Sequence, residues 1–387
     1  MIARRSLLLT ALLMAPAAWA RPRPGALDIR AIERRRLLPQ AAALLGAKPR
    51  TIAAIPAPRS PAGPQDYYSE GDYWWPDPAN PGGPYVRRDG RSNPDKFDGH
   101  RDALIAFGRT VPALAALWNL TREPHFARAA VRHLHAWFVD PKTRMNPNLN
   151  HAQAIIGVNS GRAIGVIDTL QIVEVARAAA LFARKDAPGY AAIRAGVERW
   201  FAAYLNWLTT SRFGTTERDE KNNHGTCWLL QAVSFAALLD REDILADARN
   251  RLQTVIIPTQ IEPDGRQPLE LARTKPYAYS LFNLDVLAAS AWLLGGSELI
   301  GWKTHDGRSI GSAIAWMAPF IANKAKWPLP PDIEYWDGFP VRQPSLFFGG
   351  LARKRRDWLD LWQRLNPDPT IGEVVRNFPV RQPLLWL

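Results

Sequence analysis

The apolar and polar positions of this chain repeat with the period of an α-helix over most of its length. In residues 123–138 the apolar side chains fall on one stripe, with Arg128 and Arg132 opposite. The stripe consists of Phe126, Ala130, Leu134, Trp137 and Phe138. Residues 28–46 show the same spacing and end at Gly46, as helices often do. No segment shows the sustained alternation that predicts a half-buried strand.

The periodic segments predict a series of helices. They cover residues 28–46, 99–119, 123–138, 160–184, 188–209, 224–239, 241–255, 281–295, 307–324 and 345–364. Successive amphipathic helices on short connectors stack as antiparallel hairpins. In a chain of this length, closing the hairpins into a ring buries the apolar faces better than an open bundle does. We therefore predict an all-α fold, an α/α toroid that forms an incomplete barrel of antiparallel helical hairpins.

The N-terminus has the features of a signal peptide. Arg4–Arg5 precede an apolar run from Leu7 to Ala18, and Ala18–Trp19–Ala20 places small residues at the cleavage positions. Both twin-arginine and ordinary secretory export fit this pattern. No later stretch is continuously apolar for about 18 residues, the length of a membrane span. We predict a signal peptide over residues 1–20 and a single toroid domain over residues 21–387. The protein is expected to be periplasmic or secreted, without a membrane anchor after cleavage.

A long non-helical segment interrupts the helical pattern. Residues 56–94 are rich in Pro, Gly, Asp and Tyr and centre on the run from Glu70 to Pro78, which contains Tyr73, Trp74 and Trp75. Loops of this length without regular structure are usually functional or disordered, and three adjacent aromatic residues argue against disorder. Two interpretations stay open: an arm packed across the body, or a wall of a substrate cleft with Trp74 or Trp75 against a sugar ring.

Composition narrows the class of partner. The 387 residues carry a net charge of +13, which favours an acidic polysaccharide, a nucleic acid or a membrane surface. The basic residues are scattered, and the one run, Arg353 to Arg356, is interpreted as a solvated surface; no nucleic-acid partner is predicted. The only cysteine, Cys227, excludes an internal disulfide and a cysteine-based metal site. Phosphate-binding glycine motifs and zinc-ligand spacings are also absent, so no metal or cofactor is predicted.

Most histidines give no sign of a site. His133 and His135 lie two positions apart on a predicted helix, face different directions and make poor metal ligands. The histidines without polar neighbours are interpreted as surface or capping residues; they are His100, His125 and His305. His151 follows a polar loop and is a candidate for the lining of a cleft.

Two polar clusters carry the candidate chemistry. The first, residues 219–228, places Asn222, Asn223 and His224 between a charged loop and an apolar helix, a position in which side chains face a cleft on a rigid base. The second, residues 270–283, contains Arg273, Lys275, Tyr277 and Tyr279.

Structural roles for the second cluster stay open. Arg273 can pair with a substrate carboxylate through two hydrogen bonds, or with Glu270 one helical turn away. Pro276 ends any helix that precedes it, so Tyr277 and Tyr279 lie on a loop or at the start of the next helix.

Together these side chains suit β-elimination from a uronic-acid polymer. The reaction removes the C5 proton beside a carboxylate and expels the C4 oxygen. Because a charged carboxylate makes that proton very weakly acidic, hydrogen bonds from Asn, Arg or His that neutralise it stabilise the developing enolate. Histidine suits the role of base, and tyrosine can act as acid or base if a nearby arginine lowers its pKa.

The chain resembles the alginate lyase superfamily of α/α-toroid polysaccharide lyases, as a sister branch of the periplasmic alginate lyases. The resemblance spans roughly residues 65–350. It rests on five segments: Asn223–His224, Leu269–Arg273, Tyr279–Leu284, Gly71–Pro76 and Gly161–Asp168. The catalytic tyrosine lies one residue nearer the arginine here than in the long-known members, so glucuronan and mixed uronates are possible substrates beside alginate.

The resemblance implies a role for each catalytic candidate. Asn223 would neutralise the C5 carboxylate, together with Arg273. Tyr279 would be the general acid, and also the base where the proton lies on the same side as the leaving oxygen. His224 would be the base for the opposite epimer or would help to hold the carboxylate, and Arg273 would lower the pKa of Tyr279.

The resemblance also implies a substrate groove lined by Arg162, Trp74 and Trp75. Asn222, Lys275 and Tyr277 complete the predicted substrate-binding set. The substrate expected from these residues is an anionic polysaccharide.

Two other functions remain open on the sequence. The first is a glycoside hydrolase of the same fold that uses carboxylates, the candidates being Asp219, Glu262, Asp264 and Glu270. The second is a non-catalytic protein that binds acidic polysaccharide through its charge and its 16 tryptophans.

Overall fold

The structure is a computed structural model that describes residues 27–387. The predicted signal peptide, residues 1–20, lies outside the described residues. The helices are α1 Ile29–Leu37, α2 Ala41–Gly46, α3 Gly99–Thr121, α4 Pro124–Phe138, α5 Val173–Arg184, α6 Arg194–Thr210, α7 Arg212–Arg218, α8 Asn223–Leu238, α9 Glu242–Arg251, α10 Ile257–Gln260, α11 Pro268–Leu271, α12 Pro276–Gly295, α13 Ser297–Gly301, α14 Ile310–Ala322, α15 Pro344–Ala352, α16 Arg356–Arg364 and α17 Gly372–Arg376. A 3-10 helix covers Ala163–Ile172.

The helices form two concentric layers. In the inner layer α3 packs on α5, α5 on α8, α8 on α12 and α12 on α15. Outer helices pair with their chain neighbours: α4 packs on α3, α9 on α8 and α16 on α15. The buried apolar side chains form one continuous cluster through both layers. The predicted all-α toroid is confirmed.

Inner-layer helices are apolar on most sides because they are covered on most sides. By length and composition alone, α3 and α12 are apolar enough to cross a membrane. In this structure, however, 78% of the apolar window of each helix is buried inside the protein. Their composition therefore matches their place in the core.

Short strands, which the apolar pattern does not predict, position the long segment 56–94. Strand β1, Tyr68–Glu70, pairs in parallel with β4, His151–Ala154. Strand β2, Trp74–Trp75, pairs in antiparallel fashion with β3, Val86–Arg87. The first pair joins the segment to β4, and β1 also packs on α3, whereas the second pair lies within the segment.

His100 differs from its prediction as a surface or capping residue. The ring is only 1% exposed and joins two loops through its two nitrogens. Nδ1 accepts a hydrogen bond from the Tyr68 amide at 3.0 Å, and Nε2 lies 2.9 Å from the Ile55 carbonyl oxygen. His100 is therefore a buried link that anchors the start of β1.

The last residues fold back onto the first helices. The Arg36 guanidinium donates to the Gln382 side chain at 2.6 Å. Glu174, on α5, accepts hydrogen bonds from the Gln382 amide and the Trp386 indole, both at 2.8 Å. The C-terminal segment thus packs across α1 and α5 and ties the end of the chain to both.

Candidate active site

A pocket of ≈ 240 Å³ lies at one end of the ring, where the inner helices begin. Its wall consists of Asp72, Tyr73, Trp74, Arg87, Arg101, Gln153, Arg162, Ile164, Ile167, Asp168, Leu170, Gln171, Glu220, Asn222, Asn223, His224, Arg273, Tyr279, Phe282, Glu373, Arg376 and Asn377. The structure therefore brings the four residues predicted to be catalytic into one pocket, together with Asn222, Trp74 and Arg162.

The first turn of α8 presents Asn223 and His224 to this pocket. Asn222 caps the helix, its side chain accepting a hydrogen bond from the His224 amide at 3.0 Å. Asn223 donates to the Glu270 carboxylate twice, from its backbone amide at 2.7 Å and from Nδ2 at 2.8 Å. Because an amide nitrogen carries two hydrogens, one Nδ2 hydrogen remains for a ligand.

Glu270 therefore positions Asn223, and the alternative pairing of Arg273 with Glu270 is not what the structure forms. The Glu270 side chain is almost fully buried, and burial raises its pKa even though the Asn223 hydrogen bonds and Arg273 act in the opposite direction. This carboxyl group was a candidate acid of the hydrolase alternative. It lies behind Asn223 and does not line the pocket.

A second buried carboxylate lies behind His224. Glu217, on α7, places Oε1 at 2.8 Å from Nδ1 of His224. Burial acts to lower the pKa of His224, but the adjacent Glu217 carboxylate outweighs burial and the net pKa is raised. Glu217 escaped the sequence analysis because its partner lies on another helix and no local pattern marks it.

Tyr279 and Arg273 form the opposite wall. A guanidinium nitrogen of Arg273 donates to the Tyr279 hydroxyl at 3.1 Å, and the guanidinium lies 4.1 Å from the centre of the ring. The hydroxyl of Tyr73 lies 2.7 Å from that of Tyr279. In the sequence Tyr73 stands out only as part of the aromatic run, and no local pattern predicts its contact with Tyr279.

The pKa of Tyr279 differs from the implied direction. Arg273 does act to lower it, but burial and the neighbouring Tyr73 outweigh that effect, and the pKa is raised well above its ordinary value. Tyr279 therefore keeps its proton at neutral pH, which suits an acid.

Arg162 and Trp74 line the entrance side. Arg162 donates to the Gln153 carbonyl oxygen at 2.9 Å and to its side-chain oxygen at 3.1 Å, and its guanidinium lies 5.8 Å from the Trp74 ring centre. Burial lowers the pKa of Arg162 to about 10, because no carboxylate pairs with it closely. A largely buried cation of this kind favours an anionic ligand.

Charged side chains make the pocket floor. Arg101 donates to Asp72 at 2.7 Å, and Arg376 contacts both Asp72 and Glu373. Burial acts to raise the pKa of Asp72, but Arg101 and Arg376 outweigh it and the pKa is lowered. Arg376 and Glu373 come from α17, and no local pattern predicts that Arg376 contacts Asp72, some 300 positions earlier.

Three residues predicted to bind substrate lie outside the pocket wall. Trp75 turns away and donates to the Arg91 carbonyl oxygen at 3.0 Å. Lys275 is 3% exposed and pairs with Glu373 at 3.2 Å. Tyr277 is fully buried against Trp327, because Pro276 begins α12 and positions two apart on a helix face different sides. The substrate-binding prediction is corrected for these three residues.

The remaining candidates also lie elsewhere. His151 bonds through Nδ1 to the Ser160 carbonyl oxygen and does not line the pocket. Of the other hydrolase carboxylates, Asp219 pairs with Arg218, and Glu262 and Asp264 both pair with Arg266 on the surface. Within residues 27–387 no group of three or more His, Cys, Asp or Glu side chains is arranged to hold a metal ion.

The family model described as "Alginate lyase" matches residues 52–327. No curated protein sequence matches the chain.

Solved structures of similar shape come from two bacteria. The crystal structure of an alginate lyase from Bacteroides ovatus is 29% identical, covers 92% of each chain and has a TM-score of 0.77. Alginate lyase A1-III from Sphingomonas species A1 is 19% identical, with a TM-score of 0.51 over 86% of this chain and 88% of that one. A tyrosine-to-phenylalanine variant of A1-III, complexed with tetrasaccharide, is 18% identical, with a TM-score of 0.51 over 86% of this chain and 84% of that one. The likeness to A1-III concerns the fold alone.

Proposed function

The chain belongs to the alginate lyase family and is a polysaccharide lyase, and on that premise we propose that it cleaves uronate polymers, alginate first among them, by β-elimination. One observation carries the proposal. The first turn of α8 and the segment from Arg273 into the start of α12, which are distant in sequence, deliver a carboxamide, an imidazole, a guanidinium and a phenol to one pocket. The tetrasaccharide bound by a variant of A1-III supports an anionic oligosaccharide as the ligand.

The first task of the pocket is to neutralise the C5 carboxylate. The free Nδ2 hydrogen of Asn223 donates to one carboxylate oxygen, and Glu270 keeps the amide in the required orientation. The fixed charge of Arg273 stabilises the negative charge that moves onto the carboxylate as the C5 proton leaves. These donors are in place before the substrate binds, so little reorganisation is needed.

The second task is proton transfer. A base takes the C5 proton, the electron pair of the C5–H bond becomes the C4–C5 double bond, and the C4–O bond breaks. In guluronate the C5 proton lies opposite the leaving oxygen, and Nε2 of His224 is the base. In mannuronate the proton and the oxygen share one face, so Tyr279 handles both transfers. It first gives its own proton to solvent, and as a phenolate it takes the C5 proton and passes that proton to the leaving oxygen. On either substrate Tyr279 gives a proton to the leaving oxygen.

The test is an assay for the unsaturated uronate end, which absorbs ultraviolet light and which hydrolysis does not produce. Purified protein is incubated with polymannuronate, polyguluronate, glucuronan and hyaluronan. Tyr279→Phe is expected to lower kcat by about 10²-fold or more, since it removes the acid. Tyr277→Phe is the matched control, because its hydroxyl lies outside the pocket and donates to the Phe320 carbonyl oxygen. An active Tyr279→Phe enzyme would refute the role assigned to Tyr279.

The same assay separates the rival functions. A hydrolase shortens the polymer without the chromophore, and a non-catalytic binder leaves the chain length unchanged. The carboxylates proposed for hydrolysis do not line the pocket, which favours the lyase.

We also propose that the protein is exported after removal of residues 1–20. The support is the sequence pattern around Arg4–Arg5 and Ala18–Trp19–Ala20. The intact mass of protein recovered from the periplasm or medium is expected to correspond to a chain that begins at Arg21. Recovery of the uncut chain from the cytoplasm alone would contradict the proposal.

A further inference from the structure

We propose that Glu217 is a positioning residue for His224, holding the imidazole with its proton on Nδ1 and its Nε2 lone pair available to the substrate. The inference rests on the proposed lyase function for its catalytic meaning. Its structural content, the orientation and protonation of one ring, can be tested without any substrate.

The contact itself is short and enclosed. Nδ1 of His224 and Oε1 of Glu217 are 2.8 Å apart, and Glu217 is 0% exposed. When Glu217 is ionised, as its pairing with His224 favours, its carboxylate only accepts hydrogen bonds and Nδ1 carries the hydrogen. Within residues 27–387 no protein group hydrogen-bonds Nε2, and His224 lines the pocket. A neutral ring therefore presents a lone pair to the ligand.

The fold alone does not account for Glu217. Its second oxygen, Oε2, is buried and has no hydrogen-bond partner among the described residues. Burying a carboxylate with a single partner costs free energy, and an apolar residue of similar size would avoid that cost. The one group that gains from the carboxylate is the His224 ring. When Nε2 accepts the C5 proton, the resulting imidazolium is paired at once with Glu217.

Neighbouring carboxylates also shift the pKa values of His224 and Glu217. Besides Glu217, the groups that act on His224 are Glu220 from the following loop and Glu270 from α11, and both raise its pKa. Burial raises the pKa of Glu217, and Glu220 and Asp168 act in the same direction, whereas His224 acts to lower it. Glu217 is the only one of these carboxylates in hydrogen-bond contact with the ring among the described residues. Its removal should therefore lower the pKa of His224, because burial then has less opposition.

The first experiment measures the ring directly. Protein labelled with ¹⁵N at histidine is titrated by NMR, with His224→Gln used to assign the signal. We expect a neutral His224 with its proton on Nδ1 and a pKa above the ordinary value of about 6.5. In Glu217→Gln the pKa should fall. A proton on Nε2, or an equal pKa in both proteins, would overturn the proposal even if the enzyme proves to have another activity.

The second experiment measures catalysis. A base must be unprotonated, so activity rises with pH through the pKa of His224, and in Glu217→Gln this rise should move to lower pH. We expect kcat on polyguluronate to fall by about tenfold or more, with KM unchanged, since Glu217 does not touch the substrate. The loss on polymannuronate should be smaller, because Tyr279 handles both transfers there.

Glu174→Gln is the matched control. Glu174 is also 0% exposed and also has a buried oxygen without a partner, but it binds the C-terminal segment and does not line the pocket. It should lower stability without moving the pH profile. If both variants shift the pH profile of activity equally, the role of Glu217 is structural. The same conclusion holds if neither variant changes the ratio of kcat on polyguluronate to kcat on polymannuronate. If the wild-type protein forms no unsaturated product at all, the lyase proposal fails while the NMR result still decides the pairing.

Discussion

At the scale of single residues, the site is made of side chains that each need a partner from another element. Asn223 depends on Glu270, and Tyr279 depends on Arg273 and Tyr73. A pocket of this kind holds its geometry before substrate arrives, because every reactive group is already hydrogen-bonded. The consequence is that substitutions one contact away from the substrate should alter catalysis.

The phenol pair gives the first such prediction. Tyr73→Phe removes the hydroxyl that lies 2.7 Å from that of Tyr279 and helps to raise the pKa of Tyr279. The pKa of Tyr279 should therefore fall. On polyguluronate Tyr279 acts only as an acid and must hold its proton, so activity is lost as pH rises through that pKa. The alkaline limb of the kcat profile on polyguluronate should therefore move to lower pH.

A pH profile of Tyr73→Phe beside wild type checks this shift. The kcat of the variant near neutral pH should stay well above that of Tyr279→Phe, because the acid itself is retained. An alkaline limb that moves upward would show that Tyr73 stabilises the phenolate rather than the phenol.

Residue types in their local setting predict Asn223, His224, Arg273 and a tyrosine of residues 270–283 as candidates, because polar groups next to apolar helices indicate a site. The family resemblance is what selects Tyr279 over Tyr277. Their partners were not predictable in the same way. Glu217 looks like any acidic residue on a short helix, and only the fold brings it within 2.8 Å of an imidazole. The prediction that Tyr277 binds substrate is wrong for the opposite reason. A tyrosine suits that role, but its position on α12 directs the side chain into the core.

At the scale of elements, the start of α8 is the most constrained part of the site. Gly225 follows His224, and a Cβ at this position would lie 2.2 Å from the Glu220 carbonyl oxygen. The backbone of the preceding loop thus runs directly against the first turn. A glycine is required here for close approach, not for an unusual dihedral angle.

Gly225→Ala is therefore expected to displace either the loop or the helix start. Overpacking of this kind costs about 1–3 kcal/mol of unfolding free energy. Because the same turn carries Asn223 and His224, kcat should fall as well. Urea unfolding and the lyase assay measure the two effects. Gly46→Ala is the control, since a Cβ at Gly46 meets nothing within 4 Å and should be tolerated.

The start of α15 depends on a buried acid. Asp285, on α12, accepts a hydrogen bond from the Ser345 amide at 2.9 Å, and burial raises its pKa to about 7. For an acid with a raised folded-state pKa, the stabilising contribution is complete below the unfolded pKa of about 3.9. It is lost as pH rises through the folded-state value.

Asp285→Asn should remove this dependence. Its unfolding free energy should vary less than that of wild type between about pH 4 and pH 7, because asparagine does not titrate. Urea midpoints at several pH values in that window test the prediction. Parallel curves for the two proteins would show that Asp285 does not titrate there.

Periodicity predicted which segments are helical better than where they end. The helix expected at 281–295 begins at Pro276, because proline is favoured in a first turn although it ends a preceding helix. The helix expected over 345–364 is split into α15 and α16 at Lys354, which has a φ of 54°. Such breaks depend on packing and on backbone turns that an apolar stripe does not record.

At the scale of the whole molecule, the C-terminal segment links stability to the site. The toroid was foreseeable because many amphipathic helices must bury their faces on each other. The packing of the C-terminal segment on these helices was not, since that segment shows no helical stripe. That segment supplies Trp386, which is 4% exposed, and α17 just before it contributes Arg376 to the pocket floor.

Trp386 holds the C-terminal segment against the helices through two hydrogen bonds. Its indole donates to Glu174 at 2.8 Å, and its carbonyl oxygen accepts from the Trp292 indole, also at 2.8 Å. Trp386→Ala should lower the unfolding free energy by about 3–5 kcal/mol, the usual cost of deleting a buried aromatic side chain. Because α17, which contributes Glu373 and Arg376 to the pocket, is then held less firmly, KM should rise more than kcat falls. Leu387→Ala, at a residue 59% exposed, should change neither quantity. If Trp386→Ala unfolds more easily but keeps the wild-type KM, the C-terminal segment stabilises the fold without shaping the substrate site.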